Sequence, residues 1–429
     1  MTDETIDIGP RGRAGRPPRI AVLWSPLSGY MHSCMRAMVD EGIEVLVVHQ
    51  QGDPNSPFDL DQVTEGIRAL QWFGTADADE IDRLLEDFDP DTILASSWNF
   101  GAYRKVCRAR RGKTLRIFGM DNQWLGTPKQ WAGIASARFV LKPTYDGVYL
   151  CDERQANFAG RLGFPAERLI WGIYTGDYPK FAAVADERGD ELPPRKFLFV
   201  GRLVPVKGID VLADAYRRYR ETVDDPWSLT IAGQGPDKHL LDGIDGIDHL
   251  GFVQPEDLPK VFADAGCLVL PSRFEPWAVV IHEATAAGLP VICTRPCGAS
   301  TRLVLDSYNG AVVSAGDADA LTGALLRIHN ADDDTRREMG HASEMLARQY
   351  SPKLWVDRLM RRIPELRALV GLSPTPWSEG AGATGSDDGE LGSTATEGTV
   401  DDVDEAVGDD VGVEGGLGVS PGTTPGDLA

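Results

Sequence analysis

Two carboxylates, Glu275 and Glu283, stand eight positions apart in the segment Phe-Glu-Pro-Trp-Ala-Val-Val-Ile-His-Glu, residues 274–283. The residues before it, Gly-Cys-Leu-Val-Leu-Pro-Ser, read as a buried strand. Those after it, Ala-Thr-Ala-Ala-Gly-Leu-Pro-Val-Ile-Cys-Thr, read as a small-residue helix end entering another strand. The pattern therefore puts Glu275 at a strand-to-helix turn and Glu283 about two helical turns further on. Pro276, which has no N–H to lose, suits the first helical turn. A helix start presents N–H groups and partial positive charge, so such a turn can hold a diphosphate or another anion, leaving the carboxylates to bind hydroxyls. A retaining-glycosidase pair is a poor match, because those carboxylates sit about 5 Å apart and normally come from different elements. The plainer alternative is a helix with one Glu near its cap and one in solvent.

A second constellation lies upstream. Residues 197–208, Phe-Leu-Phe-Val-Gly-Arg-Leu-Val-Pro-Val-Lys-Gly, form an apolar strand ending in Gly201-Arg202, with Lys207-Gly208 opening an amphipathic helix (Val211, Leu212, Ala215, Tyr216, Tyr219). An Arg and a Lys beside a glycine turn at the carboxyl end of a parallel strand make a phosphate clamp. Two solvent-facing cations near a loop are the alternative. Further turns follow at Ile231-Ala232-Gly233-Gln234-Gly235, Leu250-Gly251-Phe252-Val253 and Asn309-Gly310.

These motifs, in this order, resemble the retaining glycosyltransferases of family 4, which have the GT-B fold; the likeness is dense over about residues 196–350. It implies a hexosyltransferase that moves a sugar from a nucleoside diphosphate sugar to a glycan, lipid-linked or other glycoconjugate acceptor. Arg202 and Lys207 would bind the diphosphate, Glu275 the hydroxyls of the transferred sugar, and Glu283 the ribose. The backbone N–H groups of Trp277, Ala278 and Val279 would meet sugar hydroxyls or phosphate, and the backbone near Phe252-Val253 would recognise the base. With two cations on the diphosphate, no metal and no cofactor are expected. Gly29 matches the glycine loop facing the donor phosphate or acceptor. One departure stands out: many relatives carry a His after the strand equivalent to residues 115–119, where this chain reads Gly119-Met120-Asp121-Asn122-Gln123-Trp124, so Asp121 or Asn122 is left to make that sugar contact. A non-catalytic GT-B binding or scaffold protein and a GT-B nucleotide-sugar epimerase are the alternatives. A dehydrogenase is disfavoured, since no Gly-x-Gly-x-x-Gly follows the first strand.

The elements that must position these groups alternate strand and helix, which implies parallel sheets. Strands are expected at Arg19–Trp24, Glu44–His49, Thr92–Ser96, Leu115–Gly119 and Gly147–Cys151, with helices at Tyr30–Glu41 and Ala78–Phe88; a second βα series begins at Lys196. The resulting fold class is α/β, two Rossmann-like parallel-sheet domains facing a cleft. The expected divisions are an N-terminal arm (1–18), an acceptor-side domain (19–178), a linker (179–195), a nucleotide-sugar-binding domain (196–350) and a crossing helix (351–372). An acidic tail (373–429) completes them.

The chain of 429 residues carries a net charge of −22, but thirteen acidic residues and no Lys or Arg fall from Ser373 onward, so the rest carries nine of those negative charges. That tail has too few large apolar groups to offset ordering entropy and is expected to be disordered. An acidic body argues against a nucleic-acid partner. The six scattered cysteines read as reduced core residues and lack zinc-site spacing. Neither a secretory signal nor an apolar span is evident, so a cytoplasmic location is expected. Residues 104–116 hold seven cations (Arg104, Lys105, Arg108, Arg110, Arg111, Lys113, Arg116) and no acid. They read as a solvated face or as a peripheral contact with anionic lipid on the cytoplasmic side.

Overall fold

The computed structural model describes residues 16–25, 27, 29–50, 64, 66–72, 77–96, 98–375 and 377. Among them are two parallel sheets. The first is built from β1 (Arg19–Leu23), β2 (Glu44–Gln50), β3 (Arg68–Trp72), β4 (Thr92–Ser96), β5 (Leu115–Met120), β6 (Gly147–Leu150) and β7 (Leu169–Trp171), in the order β3-β2-β1-β4-β5-β6-β7. Its central strands are buried along their whole length, as expected of parallel strands covered on both faces. Between them run α1 (Gly29–Asp40), α2 (Ala78–Phe88), α3 (Gly101–Ala109), α4 (Pro128–Val140) and α5 (Glu153–Arg161).

The second sheet contains β8 (Lys196–Val200), β9 (Ser228–Ala232), β10 (Ile247–Gly251), β11 (Cys267–Leu270), β12 (Val291–Thr294) and β13 (Gly310–Val313), in the order β10-β9-β8-β11-β12-β13. In each sheet the order reverses at one place, between β1 and β4 and between β8 and β11. Such a reversal opens a crevice at the carboxyl ends of the two strands, where ligands bind in open α/β sheets.

The connection between the sheets, expected as a linker at 179–195, folds in its first half as helix α6 (Tyr178–Arg188), with Phe181 and Val184 buried. Its proline sits in the first turn, where no N–H is needed, so the polar composition concealed a packed helix. The helix α13 (Pro352–Leu369) crosses back onto the first sheet. Trp355 stacks on Tyr149 of β6 at 5.4 Å and donates its indole N–H to the Ile173 carbonyl at 2.7 Å. Tyr149 in turn donates its hydroxyl to the Trp355 carbonyl at 3.0 Å.

Both expected ends are corrected. Arg16 already pairs with both oxygens of Asp91 at 3.0 Å, so the docked body begins before residue 19. At the other end Thr375 is fully buried and Trp377 packs on the core, so the body extends past the expected limit at Ser373. Residues 1–15 of the arm and 378–429 of the acidic tail lie outside the described residues. All six cysteines are buried and unbridged. Among the described residues no helix is long and apolar enough to cross a membrane.

Candidate functional site

The second reversal point gathers the residues singled out by sequence. Gly201-Arg202 leaves β8, and the short 3-10 turn Pro205–Lys207 brings Lys207 back over it, its Nζ 3.7 Å from where a Gly201 β-carbon would stand. Gly201 and Gly233 have φ of 153° and 155°, and a β-carbon on Gly233 would overlap the Gly201 carbonyl. Glycine is therefore required where the β8 and β9 turns cross. Helix α7 (Ile209–Thr222) follows directly.

From β11 the chain enters the carboxylate segment. Helix α9 (Val279–Ala286) begins four residues after Glu275, so Glu283 lies little more than one turn into it. The expected helix over Pro276 is corrected: Pro276 belongs to an irregular turn, because its carbonyl points to the first sheet and is bonded there. Glu275 is 9% exposed. Its Oε1 forms an ion pair with Lys207 and accepts the Ser272 hydroxyl at 3.1 Å. Ala278 ends the turn at φ 76°, ψ 73°. A left-handed alanine costs about 1–2 kcal/mol, and strain of this kind collects at functional sites.

Glu283 packs against Gly176, where a β-carbon would be 3.0 Å from its Cγ. Burial raises its carboxyl to a pKa of about 7, with Lys180 pulling the other way and Asp177 adding to the rise. Lys180, from α6, donates to the Pro255 carbonyl at 2.7 Å. It thereby links Glu283 to the loop after β10 that holds Phe252 and Val253, both half-buried. His282 is a structural pin. Its Nδ1 accepts the Gly176 N–H at 2.9 Å while Nε2 lies 3.1 Å from the Ala347 carbonyl, an arrangement satisfied by the neutral ring. Burial holds its pKa down at about 4.

The first sheet supplies the opposite wall. Asp121, just past β5, is half-buried, and its Oδ2 accepts the Tyr174 hydroxyl at 3.1 Å. Burial raises its carboxyl above the usual range. Tyr174 meets Tyr30 edge-on at 5.0 Å, which ties Asp121 to the start of α1 at Gly29. Two glutamine amides close the floor. Gln123 Nε2 donates to the carbonyls of Glu275 at 3.2 Å and Pro276 at 3.1 Å; Gln155 Nε2 donates to those of Asp121 at 2.9 Å and Pro276 at 3.1 Å. Around them, Asp152 accepts the Thr301 hydroxyl at 2.7 Å, and Arg154 donates to the Arg295 carbonyl at 3.0 Å.

Lys207, Gly201 and Glu275 thus meet at one crevice, and Arg202 follows Gly201 in the same turn. Glu283 and the Trp277–Val279 turn rise from its side, and Asp121 faces it through Gln155. Gly29 is linked to it through Tyr30–Tyr174, and the loop of Phe252 and Val253 through Lys180. Sequence reading missed Gln123, Gln155, Tyr174 and Lys180, whose partners lie far along the chain and leave no spacing signal. The seven-cation segment is also redrawn: Arg110 pairs with Asp82, and Arg116 is buried against Asp146 at 2.6 Å.

A family model described as glycosyl transferases group 1 matches residues 185–345, a stretch that contains Arg202, Lys207, Glu275 and Glu283. A GDP-mannose-dependent alpha-(1-6)-phosphatidylinositol monomannoside mannosyltransferase of Mycolicibacterium smegmatis is 34% identical over 275 residues, 58% of this chain and 69% of that protein. Two uncharacterized glycosyltransferases of Methanocaldococcus jannaschii are 33% and 28% identical, but the chain spans only 35% and 43% of their lengths. Among solved structures, sucrose-phosphate synthase from Thermosynechococcus elongatus aligns with a TM-score of 0.62 at 17% identity, over 81% of this chain and 99% of that one. Anabaena HepE in complex with UDP and glucose aligns at 0.63 and 16% identity, over 80% and 98%. With its two parallel sheets, its crossing helix and these matches, the chain belongs to the group 1 glycosyl transferases and has the GT-B fold.

Proposed function

We propose that this chain transfers a sugar from a nucleoside diphosphate sugar to a glycan, lipid-linked or other glycoconjugate hydroxyl, with retention at the anomeric carbon and without a metal ion. The observation that carries this reading is the ion pair of Lys207 with Glu275 beside the Gly201-Arg202 turn, at the reversal between β8 and β11. The leaving diphosphate develops negative charge. Arg202 and Lys207 sit where they can meet it, and one well-placed group in such a role lowers a barrier by about 3–4 kcal/mol. Glu275 fixes Lys207 before the donor arrives, so little reorganisation is needed, and its other oxygen is available to sugar hydroxyls. Glu283 accepts from the ribose. Asp121, steadied by Tyr174, takes the sugar contact that relatives give to His.

The mannosyltransferase relatives make GDP-mannose the first donor to try, followed by UDP-glucose. Incubation with each donor in excess EDTA, with the product's anomeric proton followed by NMR, tests the proposal. Transfer with the donor's own anomeric configuration supports it. An inverted product, or turnover only after a divalent metal is restored, contradicts the corresponding part.

A further inference from the structure

Helix α4 is poorly buried for a helix beside a Rossmann-like sheet. Among its side chains only Ala137 is fully buried, and the helix seats itself through Gly133, where a β-carbon would be 2.7 Å from the Trp98 ring. Trp131, Ala135 and Phe139 stand four residues apart and share one outward face. Trp131 is 56% exposed and Phe139 62%, with Leu125, just before the helix, at 55%.

Cations border this ridge. Lys129, Arg138 and Lys142 are exposed, and the Arg138 guanidinium lies 4.3 Å from the Phe139 ring centre. Arg108 of α3 donates to the Phe139 and Val140 carbonyls at 3.1 and 3.2 Å, and Arg111 and Lys113, just past the end of α3, are exposed. From Gly101 to Lys142 there are ten Lys or Arg and one acidic residue, Asp121, in a chain of net charge −22. Three of the ten are offset by carboxylates from outside the stretch, Lys105 by Asp79, Arg110 by Asp82 and the buried Arg116 by Asp146, so the charge of this face rests on the exposed Lys129, Arg138, Lys142, Arg111 and Lys113.

We propose that this face of α4 docks the protein on an anionic lipid bilayer. Trp131, Phe139 and Leu125 enter the boundary between headgroups and acyl chains, while Lys129, Arg138, Lys142, Arg111 and Lys113 meet lipid phosphates. An apolar ridge with flanking cations is the pattern that lies in a membrane interface, and each cation near an anionic surface contributes about 1 kcal/mol. A second copy is a poorer occupant, since a two-fold contact would oppose the same cations to one another.

The position is also useful to the site. Gln130, in the first turn of α4, donates to the Gln123 carbonyl at 2.6 Å and accepts the Leu125 N–H at 2.8 Å. Gln123 in turn holds the Glu275-Pro276 turn, so a docked α4 puts the mouth of the cleft beside the bilayer. The docking stands independently of which acceptor is used.

Cosedimentation of the whole chain with vesicles of phosphatidylcholine alone, and of phosphatidylcholine mixed with phosphatidylglycerol, tests the surface. Binding is expected only to the mixed vesicles and should weaken as salt is raised. The double variants Trp131→Ser/Phe139→Ser and Arg138→Glu/Lys142→Glu should each lower partitioning at least about tenfold. The charge variant should keep its melting temperature. The apolar variant, which also loses the edge-on contact of Trp131 with Trp124 at 5.2 Å, should keep its circular dichroism spectrum. Absence of binding by the unaltered chain, or equal binding by the variants, overturns the proposal. A dimer in sedimentation velocity that Trp131→Ser/Phe139→Ser disperses, with no vesicle binding, assigns the face to a second copy and overturns it too.

Discussion

At the scale of single residues, the site consists of charges whose neighbours fix their state. Lys207→Ala and Glu283→Ala should each lower transfer at least about a hundredfold with the fold intact, because each removes a contact to bound donor. Steady-state kinetics beside circular dichroism checks this, and near-normal turnover in both variants would displace the site. Glu283 adds a pH signature. Its raised pKa of about 7 leaves it largely protonated below neutrality, when it is a poorer acceptor for ribose hydroxyls. Donor affinity should therefore rise as pH increases through about 7, and Glu283→Gln should flatten that profile. The groups facing it do not reverse the sign: His282 stays neutral across this range, and Lys180 and Asp177 pull in opposite directions. Stability runs the other way, since a carboxyl with a folded pKa above its unfolded value favours the folded state most at low pH and loses that contribution as pH rises toward 7.

Among elements, the turn between β11 and α9 is where sequence and structure diverge most usefully. The strand and the helix were both legible from apolar runs and small residues. The start of the helix was not, because Ala278 adopts a left-handed conformation that alanine does not advertise, and Pro276 turns its carbonyl toward Gln123 and Gln155. Those amides are more than a hundred residues away in the chain, and no local pattern encodes such a contact. Their role is positional, so Gln155→Ala should lower kcat more than it raises donor KM, and Gln155→Glu, which places a carboxylate beside two carbonyls, should do worse. Ala278→Gly should relieve about 1 kcal/mol of strain, read as a higher urea midpoint. A lowered midpoint would mean that the alanine methyl packs more than the backbone strains. Helix α6 was missed for a related reason: its polar, proline-bounded sequence reads as a linker, and only tertiary packing of Phe181 and Val184 shows otherwise.

At the scale of the whole molecule, the two-sheet architecture was readable because βα alternation and glycine turns recur on both sides of the connection. The limits of the body were not, since single docked residues, Arg16 at one end and Thr375 and Trp377 at the other, sit in sequence that is otherwise polar. A chain cut after Leu372 should therefore melt several degrees below one cut after Trp377; equal melting would show that the last docked residues contribute nothing. Trp355, which joins the crossing helix to β6 and to the connection, should cost about 3–5 kcal/mol on truncation to Ala. The central claim is that a nucleoside diphosphate is held at the β8–β11 reversal by protein cations. Isothermal titration of GDP and UDP in EDTA tests it most directly. The unaltered chain should bind at least one of them, and Arg202→Ala and Lys207→Ala should each weaken that binding at least about tenfold. No binding of either nucleotide, or binding that both variants retain in full, would contradict it.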